Sequence, residues 1–152
     1  MKTRIHAVAG IVGFFTILSF WTSTVMVELF GSQAAVVAVK SWVLSGMVVL
    51  VPAMVIVGAT GMSLGRRRRD LLSNAKKGRM PLIATNGIVI LVPAAFYLAF
   101  KAGSGVFDGW FYAVQAVELL AGMANLVMMG LNMRDGLRMT GRIARVPSFR
   151  PS

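Results

Sequence analysis

Four stretches of this chain, 5–28, 41–64, 80–100 and 110–133, are almost wholly apolar. At about 1.5 Å per residue, each is long enough to cross roughly 30 Å of hydrocarbon as an α-helix. Inside a bilayer every backbone N–H and C=O must find a partner within the protein, which restricts spanning structures to helices and closed barrels, and runs of this length select helices. A chain of 152 residues has room for little else. The expected fold is therefore an all-α membrane protein, a single domain built as an antiparallel four-transmembrane-helix bundle. Composition agrees: 57% of residues are hydrophobic and the mean hydropathy is +0.74, above the roughly 45–50% apolar content of soluble domains.

A net charge of +11 would suggest a nucleic-acid partner if the cations were spread over one face, but they are not. Fourteen of the sixteen basic residues fall in three segments: Lys2 and Arg4; Arg66, Arg67, Arg68, Arg69, Lys76, Lys77 and Arg79; and Arg134, Arg138, Arg142, Arg145 and Arg150. The other two, Lys40 and Lys101, are read as lying at the opposite ends of the helices, beside Glu28 and Asp108. By the positive-inside rule this asymmetry places the N- and C-termini and the 65–79 loop in the cytoplasm, as expected of a multi-pass protein of the cytoplasmic (inner) membrane. Arg66 to Arg69 with Lys76 and Lys77 are expected to meet anionic lipid headgroups, at about 1 kcal/mol per charge near the surface. No nucleic acid is expected as a partner.

The chain carries no cysteine, which excludes disulfides, thiolate metal sites and iron–sulfur clusters. Its first run could pass for a signal peptide ending at Ser32-Gln33-Ala34. It is too long for an h-region of about 7–15 residues, and is expected to be retained as a span. Within it His6, Ala9, Gly13, Thr16, Phe20 and Ser23 form a seam of mostly small or polar residues that lets a neighbouring helix approach. Ser32 to Val39 reads as a short connection, with Lys40-Ser41-Trp42 opening the second helix at headgroup level. Pro52 should kink that helix. The third begins near Met80 with Pro81 in its first turn, where proline is tolerated. Trp110, Phe111 and Tyr112 read as an aromatic belt, and 134–152 as a basic amphipathic tail.

Four of the six amide and carboxyl side chains in the apolar runs lie on the fourth. Gln115, Glu118, Gly122, Asn125, Met129 and Asn132 recur at alternating steps of three and four, which aligns them on one stripe of a helix. Amide and carboxyl groups do not face hydrocarbon, so this stripe, with Asn86 of the third span, should form an intramembrane polar seam covered by the other helices. Glu118 falls about 5 Å from mid-membrane and must be protonated, paired or facing a wet cavity. With Lys40 read as interfacial, no base shares its depth. The expectation is a neutral carboxyl bonded to Gln115 or a neighbouring helix, acting either as a proton or cation site or as glue that fixes helix register.

His6 is the chain's one histidine, so a bis-histidine haem would need a dimer, or a methionine as the second ligand. A b-type haem or a quinone beside His6, with Arg4 and Arg79 near its acidic groups, is the redox reading. An interfacial histidine bonded to a nearby polar group is the structural one. Metal sites normally need three or four ligands, and none is expected here. Met123, Met128, Met129 and Met133 do not share a face and read as packing. No phosphate loop, triad or paired carboxylate is present.

Small multidrug exporters, another four-span family, carry their membrane glutamate in the first helix, whereas here it is in the fourth. Haem-bearing four-helix anchors share the architecture but use more histidine. Three functions fit what remains. The first is an accessory or scaffold protein acting through helix packing, as a homo-oligomer or in a larger membrane complex. The second is electron transfer through haem or quinone at His6. The third is proton-coupled transport through Glu118.

Overall fold

A computed structural model describes residues 1–65, 71–139 and 141. Every regular element among them is helical: α1 (Lys2–Phe30), α2 (Gln33–Gly65), α3 (Leu71–Thr85), a π-helical stretch (Asn86–Leu91), α4 (Val92–Gly103) and α5 (Gly109–Met139). α3, the π stretch and α4 run end to end, so the chain has four helices long and apolar enough to span a membrane. It is a multi-pass membrane protein. Arg66, Arg67, Arg68 and Arg69 and the tail residues Arg142, Arg145 and Arg150 lie outside the described residues, as do the side chains of Lys2, Lys76 and Lys77.

The helix ends differ from the sequence reading, and each difference has a local cause. α2 begins at Gln33, not at 41, because the turn before it needs just Gly31 and Ser32. Ser32 caps the new helix, its Oγ accepting from Ala35 N–H at 3.3 Å. Gly31 N–H closes α1 onto the Val27 carbonyl at 2.9 Å. A Cβ on Gly31 would stand 2.7 Å from that carbonyl oxygen, so this close approach requires glycine. The third span likewise starts earlier, with 71–79 helical where a loop was expected, and Pro81 is interior. α4 ends in a Schellman motif: Gly105 takes φ +70°, Val106 N–H reaches the Lys101 carbonyl and Gly105 N–H that of Ala102. Asp108 then caps α5, accepting from Phe111 N–H at 2.9 Å.

The spans pack in a ring: α1 against α2, α2 against α3 and α4, these against α5, and α5 back against α1. α2 and α5 are diagonal, with no close backbone approach among the described residues. The surface is apolar, with Phe15, Val48, Ile88, Phe100 and Leu120 more than half exposed. Hydrocarbon on both sides of a helix removes the usual hydrophobic drive, so close packing and polar pairs must hold the spans together. Small residues supply the packing. Phe20 of α1 lies over Gly46, Trp21 over Gly122, and Met54 and Met129 over Gly13. The expected aromatic belt is split: Trp110 and Tyr112 are exposed, but Phe111 is fully buried with Val36, Leu98 and Ala102.

Candidate functional site

The polar side chains line the inside of the ring. Gln115, Gly122, Asn125 and Met129 of the α5 stripe are buried, and Glu118 and Asn132 nearly so. One further step of three adds Asp135, which is 2% exposed. Glu118, Asn125, Asn132 and Asp135 each meet a partner on another span, Gln115 joins Glu118 on its own helix, and the contacts fall into three levels.

At the level nearest the α1–α2 turn, Lys40 Nζ donates to Glu118 Oε2 at 2.6 Å. Gln115 Nε2 donates to the same oxygen at 3.1 Å. This corrects the reading of Lys40 as interfacial and of Glu118 as lacking a base at its depth. Because α2 starts eight residues early, Lys40 lies about 10 Å along the helix and projects across the diagonal to α5. It is 1% exposed, and Glu118 is 13% exposed. A third ionisable group, Glu28 of α1, lies within electrostatic range of both. Beside the pair is a cavity of about 60 Å³, walled by Glu118, Trp21, Thr24, Val43, Leu91 and Gly122 among others. That is room for several waters at about 10–15 Å³ of centre volume each.

At mid-span Asn86 Nδ2 donates to the Ala121 carbonyl at 2.8 Å and to Asn125 Oδ1 at 2.9 Å. Asn125 Nδ2 in turn points to the Ile83 carbonyl at 3.4 Å. Asn86 opens the π-helical stretch, in which Val92 N–H reaches back five residues to the Gly87 carbonyl. Pro93 supplies the reason: its ring displaces the carbonyl four residues back and offers no N–H, so the backbone widens by one register.

At the basic end Arg79 Nη1 pairs with Asp135 Oδ2 at 2.7 Å and points to Asn132 Oδ1 at 3.4 Å. Arg134 is 3.5 Å from the other Asp135 oxygen. Arg79 is thus engaged with α5. His6 Nδ1 meets Thr60 Oγ1 of α2 at 2.9 Å, and Arg4 is exposed at the surface. His6 and Met80 do come together over Gly61, where an added Cβ would collide with Met80 and stand 3.3 Å from His6 Cε1. No group of three or more metal-ligating side chains occurs among the described residues.

Sequence reasoning missed Lys40, Glu28 and Asp135. A signal existed for the first: Val36, Lys40, Val43, Leu50 and Ala53 follow helical spacing, and Val36, Lys40, Val43 and Ala53 are buried.

Among curated proteins the chain is similar to Na(+)/H(+) antiporter NhaA 1 of Salinispora arenicola (strain CNS-205), with 34% identity over 122 residues. The match takes in 79% of this chain but 17% of the relative, so the chain spans about a sixth of that protein's length. No family model matches the chain, and no solved structure does.

Proposed function

We propose that this protein is a proton-coupled transport module of the cytoplasmic (inner) membrane, with Glu118 and Lys40 as the groups that load and release the proton. The observation that carries the proposal is the 2.6 Å Lys40–Glu118 pair beside a water-sized cavity inside the ring of spans. A buried ion pair gives back much of its Coulomb gain as desolvation, so the pair is not held rigidly by its charges alone. The pair also ties α2 to α5 across the diagonal, so a change in its charge state alters the one polar link described between those helices. Intramembrane ionisable residues facing a cavity mark ion and proton pathways in general. The antiporter named above is a relative by sequence, and its name fits this reading.

The test is proton flux into proteoliposomes containing the purified chain and a trapped pH-sensitive dye. Flux driven by an imposed cation gradient, abolished by Glu118→Gln in a variant that still elutes as the folded protein, supports the proposal. Absent flux in the unmodified protein, or full flux in Glu118→Gln, overturns it.

A second reading, the accessory or scaffold role, draws on the Asn86–Asn125 and Arg79–Asp135 pairs. These join the third span to α5 as register-fixing glue, and would present one defined surface to a second copy or a larger complex. It predicts that assembly, seen by crosslinking in native membranes, persists in Lys40→Met/Glu118→Met, which removes the pair without stranding a charge.

A further inference from the structure

Thr24 of α1 behaves differently from Thr16, Thr22 and Thr60. Those three turn their hydroxyls back to the carbonyls of Val12, Leu18 and Ile56 in their own helices, the usual recourse of threonine in an apolar helix. Thr24 is 3% exposed, yet its hydroxyl hydrogen-bonds to none of the described residues. It lies on the wall of the cavity of about 60 Å³ that Glu118 also lines. The other lining side chains are apolar except Trp21, whose indole N–H is already given to the Leu119 carbonyl at 3.0 Å. Glu118 spends Oε2 on Lys40 and Gln115, and its Oε1 on neither.

We infer that Thr24 and Glu118 together bind a short file of water inside the ring, with Thr24 the positioning residue that decides whether the cavity is wet. An apolar cavity stays dry, whereas water enters where it meets two to four polar partners. The Glu118 carboxylate alone falls short of that. A hydroxyl, able to donate one bond and accept two, completes the set. Size fixes the class of occupant: the volume takes several waters and is well below the roughly 150 Å³ that accommodates benzene. The surroundings fix the direction of approach. Toward the basic end the interior is filled by Ile17, Ile83, Leu126 and Met129 packed on one another. Thr24 lies the other way, six residues or about 9 Å from the end of α1 at Phe30. The file therefore reaches Glu118 from the end that carries the 31–32 turn. The inference rests on the transport reading in that it names the residue that wets the proton's path.

The test is water-edited solid-state NMR on the full chain in liposomes, which reads magnetisation passing from water to the Glu118 carboxylate carbon. Transfer should build up several-fold faster there and at Thr24 than at the buried Ile83 and Leu126. In Thr24→Val, transfer to Glu118 should fall to the rate of those apolar side chains, and Thr24→Ser should restore it. The unfolding midpoint of Thr24→Val should hold or rise, because the hydroxyl it removes has no protein partner to leave stranded. Slow transfer to Glu118 in the unmodified protein overturns the inference, and that measurement needs no variant to fold. Unchanged transfer in Thr24→Val overturns it too, whatever the proton flux. Fast, Thr24-dependent transfer without proton flux would overturn the transport reading and leave the hydrated site standing.

Discussion

Lys40 can be charged and 1% exposed because Glu118 meets it at 2.6 Å, so the two residues cannot be altered independently. Lys40→Met alone strands a carboxylate in the interior. Removing one partner of a buried pair costs about 3–5 kcal/mol, whereas replacing both with apolar residues is often neutral. The expected result is a large loss of stability in Lys40→Met that is mostly restored in Lys40→Met/Glu118→Met, read by denaturation in mixed micelles. Additive losses would show that the pair is not coupled. Asp108 is a contrasting case, outside the spans and exposed. The hydrogen bond from Lys101, followed by that from Phe111 N–H, holds its carboxyl below the ordinary carboxylate range. A carboxyl with a depressed folded value stabilises fully above its unfolded value, about 3.9, and loses that contribution as pH falls through the folded one. Melting temperature should therefore drop on acidification below about pH 4, and Asp108→Asn should flatten that limb while lowering the plateau. An acid limb of the same depth in the variant would assign it to other groups.

Between elements, the clearest device is the junction of the third span with α5. The π-helical stretch ahead of Pro93 begins at Asn86, whose amide bridges to Asn125 and the Ala121 carbonyl. Interhelical hydrogen bonds of this kind average about 0.6 kcal/mol in membrane proteins, so Asn86→Ala and Asn125→Ala should each destabilise modestly, with a coupling of about that size in a double-mutant cycle. Zero coupling would mean the two amides find other partners. The α5 stripe was legible because helical periodicity in a nearly pure apolar background stands out, and it led to Gln115, Glu118, Asn125 and Asn132. What it could not give was the partner of each. Lys40 was misplaced because lysine beside tryptophan is also the signature of a headgroup-level helix start, and a two-residue turn at Gly31-Ser32 leaves no loop composition to mark the true start. Glu28 looked like part of that end for the same reason. Asp135 was hidden among the arginines that follow the last apolar run, although it continues the stripe.

For the molecule as a whole, burial of Lys40 sharpens the charge asymmetry that sets orientation. With Lys40 withdrawn into the ring, Lys101 is, among the described residues, the one basic residue left at the end that carries the 31–32 and 104–108 turns, and it is paired with Asp108. Among the described residues the opposite end carries Arg4, Arg79, Arg134 and Arg138. Since positively charged ends are retained in the cytoplasm, both termini should be cytoplasmic and Ser104 external. The absence of cysteine makes this directly measurable, because any introduced thiol is the sole target. Ser104→Cys, exposed on its turn, should react with a membrane-impermeant maleimide added to intact cells. Ser152→Cys should react after lysis and not before. The reverse pattern would invert the topology and place Glu28 on the cytoplasmic side. The Lys40–Glu118 level would then lie nearer the cytoplasm, so the direction of any gradient imposed in the flux assay should follow from this labelling result.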